Sequence, residues 1–166
     1  MAINLSELPA AMIQYLLTKV DIDITVEDLI PGPPINPGDT FNIRMRVKNA
    51  SSTDDGIALT NVRYELSMST KGIAQIRVPG AGTAIDGSGN PIPANTWVEF
   101  LTFNPSAPDP SYLSVGESDS LLFAGRAIAV GFTQIRTRIQ ADPDINALFP
   151  RNHLTDIHSH NLSVVS

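Results

Sequence analysis

The most regular alternation of apolar and polar residues in the chain lies between Asn36 and Ser51. Phe41, Ile43, Met45 and Val47 fall on one face, and Asn42, Arg44, Arg46 and Lys48 on the other. A period of two with one apolar and one charged face predicts a half-buried strand of an antiparallel sheet. A helix needs apolar residues three and four apart, which this run lacks. Pro37-Gly38-Asp39 opens the run with turn chemistry, and Asn49-Ala50-Ser51-Ser52 closes it. The pattern recurs. In Lys19 to Ile30, Val20, Ile22, Ile24 and Val26 alternate with Asp21, Asp23, Thr25 and Glu27, a strand with an acidic outer face ended by Pro31-Gly32-Pro33-Pro34. Leu59 to Met68 sets Val62, Tyr64, Leu66 and Met68 against Asn61, Arg63, Glu65 and Ser67. Further strands are predicted over Ile73 to Val78, Trp97 to Phe103, and Ser120 to Val130, the last mixed in period. Phe132 to Gln140, with Ile135 and Ile139 opposite Arg136 and Arg138, and Leu162 to Val165 complete the set.

Two stretches break the pattern. Ser6 can cap a short helix with Glu7 and Pro9 in its first turn. Leu8, Met12, Tyr15 and Leu16 then recur at helical spacing, widened by Ala11 and Leu17. So short a helix is marginal alone and must pack, either as a lid on one end of the domain or as an arm docked in a neighbour. The stretch from Pro79 to Ala94 is rich in Gly, Pro and small residues and too poor in apolar ones to be core. The prediction is therefore all-β: an immunoglobulin-like antiparallel β-sandwich of seven or eight strands with a short N-terminal helix. Residues 1–18 form the helical arm, and 19–166 a single sandwich domain with an insertion at 79–94. A jelly roll competes on strand number. A doubly wound fold is disfavoured, because the internal helices of parallel crossovers are missing.

Composition narrows the function. A chain of 166 residues can bury a real core without staples. With no cysteine there are no disulfides, thiol nucleophiles or cysteine-ligated zinc. A formal charge of −6 argues against a nucleic-acid partner, since phosphate binding needs surplus Lys and Arg. Met1-Ala2-Ile3-Asn4-Leu5-Ser6-Glu7 lacks the basic residues and apolar run of a signal peptide. No window reaches the roughly 18 apolar residues of a membrane span. The expectation is a protein of the virion or cytoplasm, with neither membrane nor nucleic acid as partner.

Three segments carry a resemblance: NPGDTFNIRMRVKNASS, LSVGESDSLLF and TRIQADPDINALFPRNHLTDIHSHNLSV. Together they resemble the bacterial cell-adhesion-related (CARDB) family of immunoglobulin-like sandwiches, over Asn36 to Val164 with long departures between Lys71 and Pro110. In that family a Pro-Gly turn starts a strand ending in Val-x-Asn, and a Gly-Glu turn starts its match. An Asp-Pro-Asp turn then leads through an Asn-rich loop to the final strand. Here the family's Glu and Asn-Asn are replaced by Arg151-Asn152-His153 and His160-Asn161. The resemblance implies a non-catalytic binding or spacer domain.

Candidate chemistry is sparse. His153, His158 and His160 share one window with Asp156. His-x-His on a strand puts both imidazoles on one face, suited to a first-row divalent metal, within one chain or where several chains meet. That face is also the face of Leu162 and Val164, so either the strand starts after His160 or the pair lines the mouth of the sandwich. No other cofactor is expected. Asp86-Gly87-Ser88-Gly89-Asn90 and Asp142-Pro143-Asp144-Ile145-Asn146 imitate the start of a calcium loop. Trp97 and His153 stand where the bidentate Glu belongs, so both read better as simple turns. Neither a Gly-x-Ser-x-Gly elbow nor a phosphate loop is present, and no enzymatic activity is expected. Trp97, Tyr64 and Tyr112 are the pieces available for a sugar platform, with Trp97 read more simply as core. Two function classes remain. One is a structural subunit of a multi-chain assembly, such as a phage capsid decoration or tail protein, and a homo-oligomer. The other is a bacterial surface adhesion or glycan-binding module.

Overall fold

The computed structural model describes residues 22–30, 34–51, 57–105, 112–144 and 154–166, with backbone alone for 22–30 and 154. The expected N-terminal helix, with Leu8, Met12, Tyr15 and Leu16, lies outside the described residues. Every named element among them is a strand. In chain order these are β1 (Ile22–Ile30), β2 (Thr40–Asn49), β3 (Leu59–Met68) and β4 (Ala74–Arg77). An excursion follows: β5 (Gly82–Ile85), β6 (Pro91–Ile92), β7 (Trp97–Val98), β8 (Phe100–Pro105) and β9 (Tyr112–Leu113). The chain ends with β10 (Ser118–Ala127), β11 (Gly131–Pro143) and β12 (Leu154–Val164).

One sheet has the order β1-β2-β10-β4-β7 and the other β12-β11-β3-β8-β5-β6, with β9 also on β3. Leaving out the excursion, strands one, two, five and four make one sheet and three, six and seven the other. That is the immunoglobulin constant-type arrangement, and a jelly roll does not give it. The inner faces meet through aromatic rings. Phe123 of β10 lies 6.0 Å from Phe103 of β8, edge to face, and 6.2 Å from Tyr64 of β3. Ile43, Met45, Val47, Val62, Tyr64, Leu66, Ile135 and Ile139 are all buried, as their parity requires. Arg44, Arg46 and Arg136 are exposed, whereas Arg138 is half-buried and ion-paired with Glu65.

Several strands depart from the sequence pattern for identifiable reasons. The expected strand from Trp97 to Phe103 is two strands, because the chain changes sheet at Glu99: β7 pairs with β4 and β8 with β3. Trp97 is accordingly half-buried rather than core, with the Arg126 guanidinium 4.4 Å above its ring. The final strand starts at Leu154 instead of Leu162, since it pairs with β11 along its whole length. Backbone hydrogen bonds, which need no apolar alternation, extend it. The stretch 79–94 contributes β5 and β6, a hairpin added to β8 through backbone pairing, with Ala84 its one buried side chain inside a strand. The period of β10 is mixed because Leu122 points outward at 51% exposure and Gly125 packs inward. A Cβ on Gly125 would come within 2.2 Å of the ring of Phe41, its Cα partner on β2. Glycine there permits the close approach.

Polar groups inside the sandwich are mostly answered. Asn49 is fully buried: its Nδ2 donates to the Ile57 carbonyl at 2.8 Å and to the Leu113 carbonyl at 3.2 Å. Its Oδ1 accepts from the Ser51 backbone N–H at 3.2 Å, so the side chain ties the end of β2 to Ser51, to Ile57 ahead of β3 and to Leu113 of β9. Tyr64 Oη, in contrast, is buried with no hydrogen-bond partner. Burial, and after it the charge of Asp119, pushes that phenol well above its ordinary range. Cutting Ile135 to Ala should lower unfolding free energy by about 2–5 kcal/mol through lost burial and a cavity. Chemical denaturation of both proteins checks this, and a stable, cooperative Ile135→Ala protein would mean the register is inverted.

Candidate functional site

The outer face of β12, β11 and β3 gathers side chains from distant parts of the sequence. Antiparallel register sets them in rows. Ser159, Arg136 and Ser67 are Cα partners across the three strands, and Ile157, Arg138 and Glu65 form the adjacent row. Directly opposed residues of an antiparallel pair present neighbouring side chains on one face. These two rows, with Gln134, line an open groove of about 500 Å³.

Most of the lining is held in place. Arg138 pairs with the Glu65 carboxylate, and Gln134 Nε2 donates to Asn161 Oδ1 at 3.2 Å. Arg138 Nε is buried and has no hydrogen-bond partner. Arg136 differs from Arg138. It is exposed, and no described residue forms a hydrogen bond or ion pair with it. Ile157, at 63% exposure, supplies an apolar wall. The groove thus offers one uncommitted guanidinium, two flanking hydroxyls, an amide and an aliphatic surface. Sequence parity put Arg136 and Arg138 on an outer face. It could not pair Arg138 with a glutamate 73 residues away, because register across β3 and β11 is a long-range property.

The histidines sit on β12. His158 is exposed, with its Nε2 3.9 Å from Asp156 Oδ1, and His160 is half-buried. Both are on the parity of Leu162 and Val164, but β12 is an edge strand of its sheet and among its described side chains only Leu162 and Val164 are buried. His153 lies outside the described residues. Among the described residues no three His, Asp or Glu side chains come together as a metal site. Of the two calcium-like loops, Asp86–Asn90 is a hairpin turn between β5 and β6. The Asp86 Oδ1 accepts from the backbone N–H of Asn90 at 2.9 Å and of Ser88 at 2.8 Å. These bonds hold its carboxyl below the usual range, Asn90 contributing most. The Asp142 carboxylate takes the Asn61 amide at 2.9 Å and the Arg63 guanidinium at 3.5 Å. Residues 145–153 lie outside the described residues. Of the three rings considered for a sugar platform, Tyr64 is core, Trp97 is covered by Arg126 and Tyr112 is 43% exposed. No helix among the described residues is long and apolar enough to cross a membrane.

No protein-family model matches the sequence, and no curated protein matches it significantly. Solved structures do. The chain is similar to domains D2 and D3 of the major pilin SpaD from Corynebacterium diphtheriae, with a TM-score of 0.51 and 12% identity. That match covers 86% of this chain and 52% of the pilin fragment, so the chain spans about half of it. It is also similar to the CARDB domain of a Pyrococcus furiosus protein, solved in complex with di-metal ions. The TM-score there is 0.47 and the identity 14%, over 88% of this chain and 89% of that one.

Two outcomes follow from this geometry. Asp86 has a depressed folded-state pKa, so its contribution is present above the ordinary carboxylate pKa and is lost as pH falls through the folded value. In an NMR titration its carboxyl should titrate below the usual aspartate midpoint, with the Ser88 and Asn90 amides losing protection as it protonates. One equivalent of zinc should leave the melting temperature unchanged, because among the described residues no three His, Asp or Glu side chains come together and a tetrahedral site needs four ligands. A rise abolished by His158→Ala would instead place a metal there.

Proposed function

We propose that the protein is a non-enzymatic structural and interaction subunit that joins like copies in a multi-chain assembly of the capsid-decoration or tail-protein kind. One observation carries this reading: the sandwich has an apolar end, and the chain enters it at the other end. Ile128, Val130, Phe132 and Val165 are 41%, 55%, 52% and 39% exposed. The β10–β11 connection and the C-terminal residues bring them together. Gly131 is the Cα partner of Val164, and the Ile128 N–H donates to the Ile73 carbonyl. Exposed apolar groups gathered at one place mark an interaction surface more than scattered ones do.

The entry point is fixed by β1. Ile30 pairs with Asn42, toward the apolar end, and Ile22 pairs with Asn49, at the opposite end. The two ends of β1 are separated by about 27 Å at the usual rise per strand residue. Ile22 therefore lies far from the apolar end of its own sandwich. The apolar positions Leu8, Met12, Tyr15 and Leu16 would suit the apolar end of the next copy, a head-to-tail contact that makes a ring or a filament. An obligate contact of this kind buries upwards of roughly 1,000 Å².

A second reading, an adhesion or glycan-binding module, is favoured by the groove on β12, β11 and β3. Light scattering separates the two. The full-length protein should exceed monomer mass. A doubly substituted Leu8→Asp, Met12→Asp protein and a Val130→Asp, Phe132→Asp protein should each be monomeric alone. Mixed, they should form a one-to-one dimer and grow no further, each supplying the half the other lacks. A full-length monomer at high concentration, or no dimer on mixing, would discard assembly in favour of the module.

A further inference from the structure

We propose that the groove on β12, β11 and β3 is a binding site for a sugar carrying a carboxylate, with Arg136 as the anchor. This rests on the binding-module reading above and names its ligand class. The charge balance of the groove is the starting point. Glu65 neutralises Arg138, which leaves Arg136 as the uncompensated charge among the lining residues. Its planar, always protonated fork matches a carboxylate in two parallel hydrogen bonds, which a lysine does not reproduce. A single net positive charge suits a ligand with one anionic group. A polyphosphate or nucleic acid would want many cations, and the chain carries −6 overall.

The surroundings of Arg136 argue for a sugar over a simple organic acid. Ser159 and Ser67 flank it as Cα partners on β12 and β3, each bringing a hydroxyl that can donate or accept. Gln134, two residues along β11, is already oriented by Asn161. The exposed aliphatic Ile157 gives the C–H face of a pyranose ring an apolar surface. A volume of about 500 Å³ lies within the range of small-molecule sites. Because Glu65 and Asn161 fix two of the neighbours beforehand, little ordering remains to oppose binding.

Isothermal titration of the full chain with glucuronate, N-acetylneuraminate and oligogalacturonate tests the site, with glucose and acetate as controls. At least one carboxylated sugar should bind, and the pattern among the three distinguishes a terminal acidic sugar from one within a chain. Arg136→Gln, at an exposed position, should retain the melting temperature and weaken binding about ten- to hundredfold, the loss expected for hydrogen bonds to a charged group. Arg136→Lys should restore only part of it. Unchanged affinity in Arg136→Gln would overturn the assignment while leaving a binding module. Equal binding of glucose, or acetate binding as tightly as the sugars, would overturn the ligand class. Failure of every sugar would overturn both the site and the module reading.

Discussion

The contact of Phe123 with Tyr64 and Phe103 is the constraint on which the molecule depends. It is where a strand of one sheet meets two strands of the other, and it sets the spacing between the layers. Edge-to-face and tilted rings at about 6 Å contribute roughly 0.5–1.5 kcal/mol beyond the area they bury. The contact also orders what lies outside. With the inner faces of β3, β10 and β11 fixed, strict alternation leaves no choice for the outer ones. Ser67, Glu65, Arg136 and Arg138 share a face because Leu66 and Ile135 are committed inward.

Local alternation therefore made β2, β3 and β11 legible from the sequence, including the burial of Met45, Tyr64 and Ile139. Polarity misled where backbone pairing or a particular side chain did the holding. Leu154 to Asn161 has no clean period, yet it continues β12 because β11 offers a full ladder. Asn49 reads as turn chemistry, and it is one of the most buried residues, with its amide serving two carbonyls. The break at Glu99 could not be seen either. A strand that leaves one sheet for another keeps its composition and changes only its partners.

The candidate groove was legible only in part, for a related reason. Each residue in it looks like an ordinary solvent-facing position within its own strand. The meaning comes from juxtaposition: one arginine balanced by Glu65 and its neighbour two residues away not balanced. Sequence spacing reports on faces of single strands, and electrostatic balance belongs to the sheet. The His158–Asp156 pair illustrates the opposite case, where a conspicuous local cluster brings only two described groups within 3.9 Å.

The placement of β1 and β12 has a mechanical consequence. Ile22 lies at one end of the sandwich and Val164 at the other, and each strand runs along its sheet with a single long antiparallel neighbour. Tension applied between these points would load the β1–β2 and β11–β12 ladders lengthwise. Their hydrogen bonds would then share the force in shear, where a pull across the strands would part them one at a time. The parallel bridge between Ile35 and Val164, and the bond from the Val165 N–H to the Ile35 carbonyl, lie beside that load path and clamp the two sheets where it leaves the domain. The domain would thus be stiffest along the line that joins Ile22 to Val164.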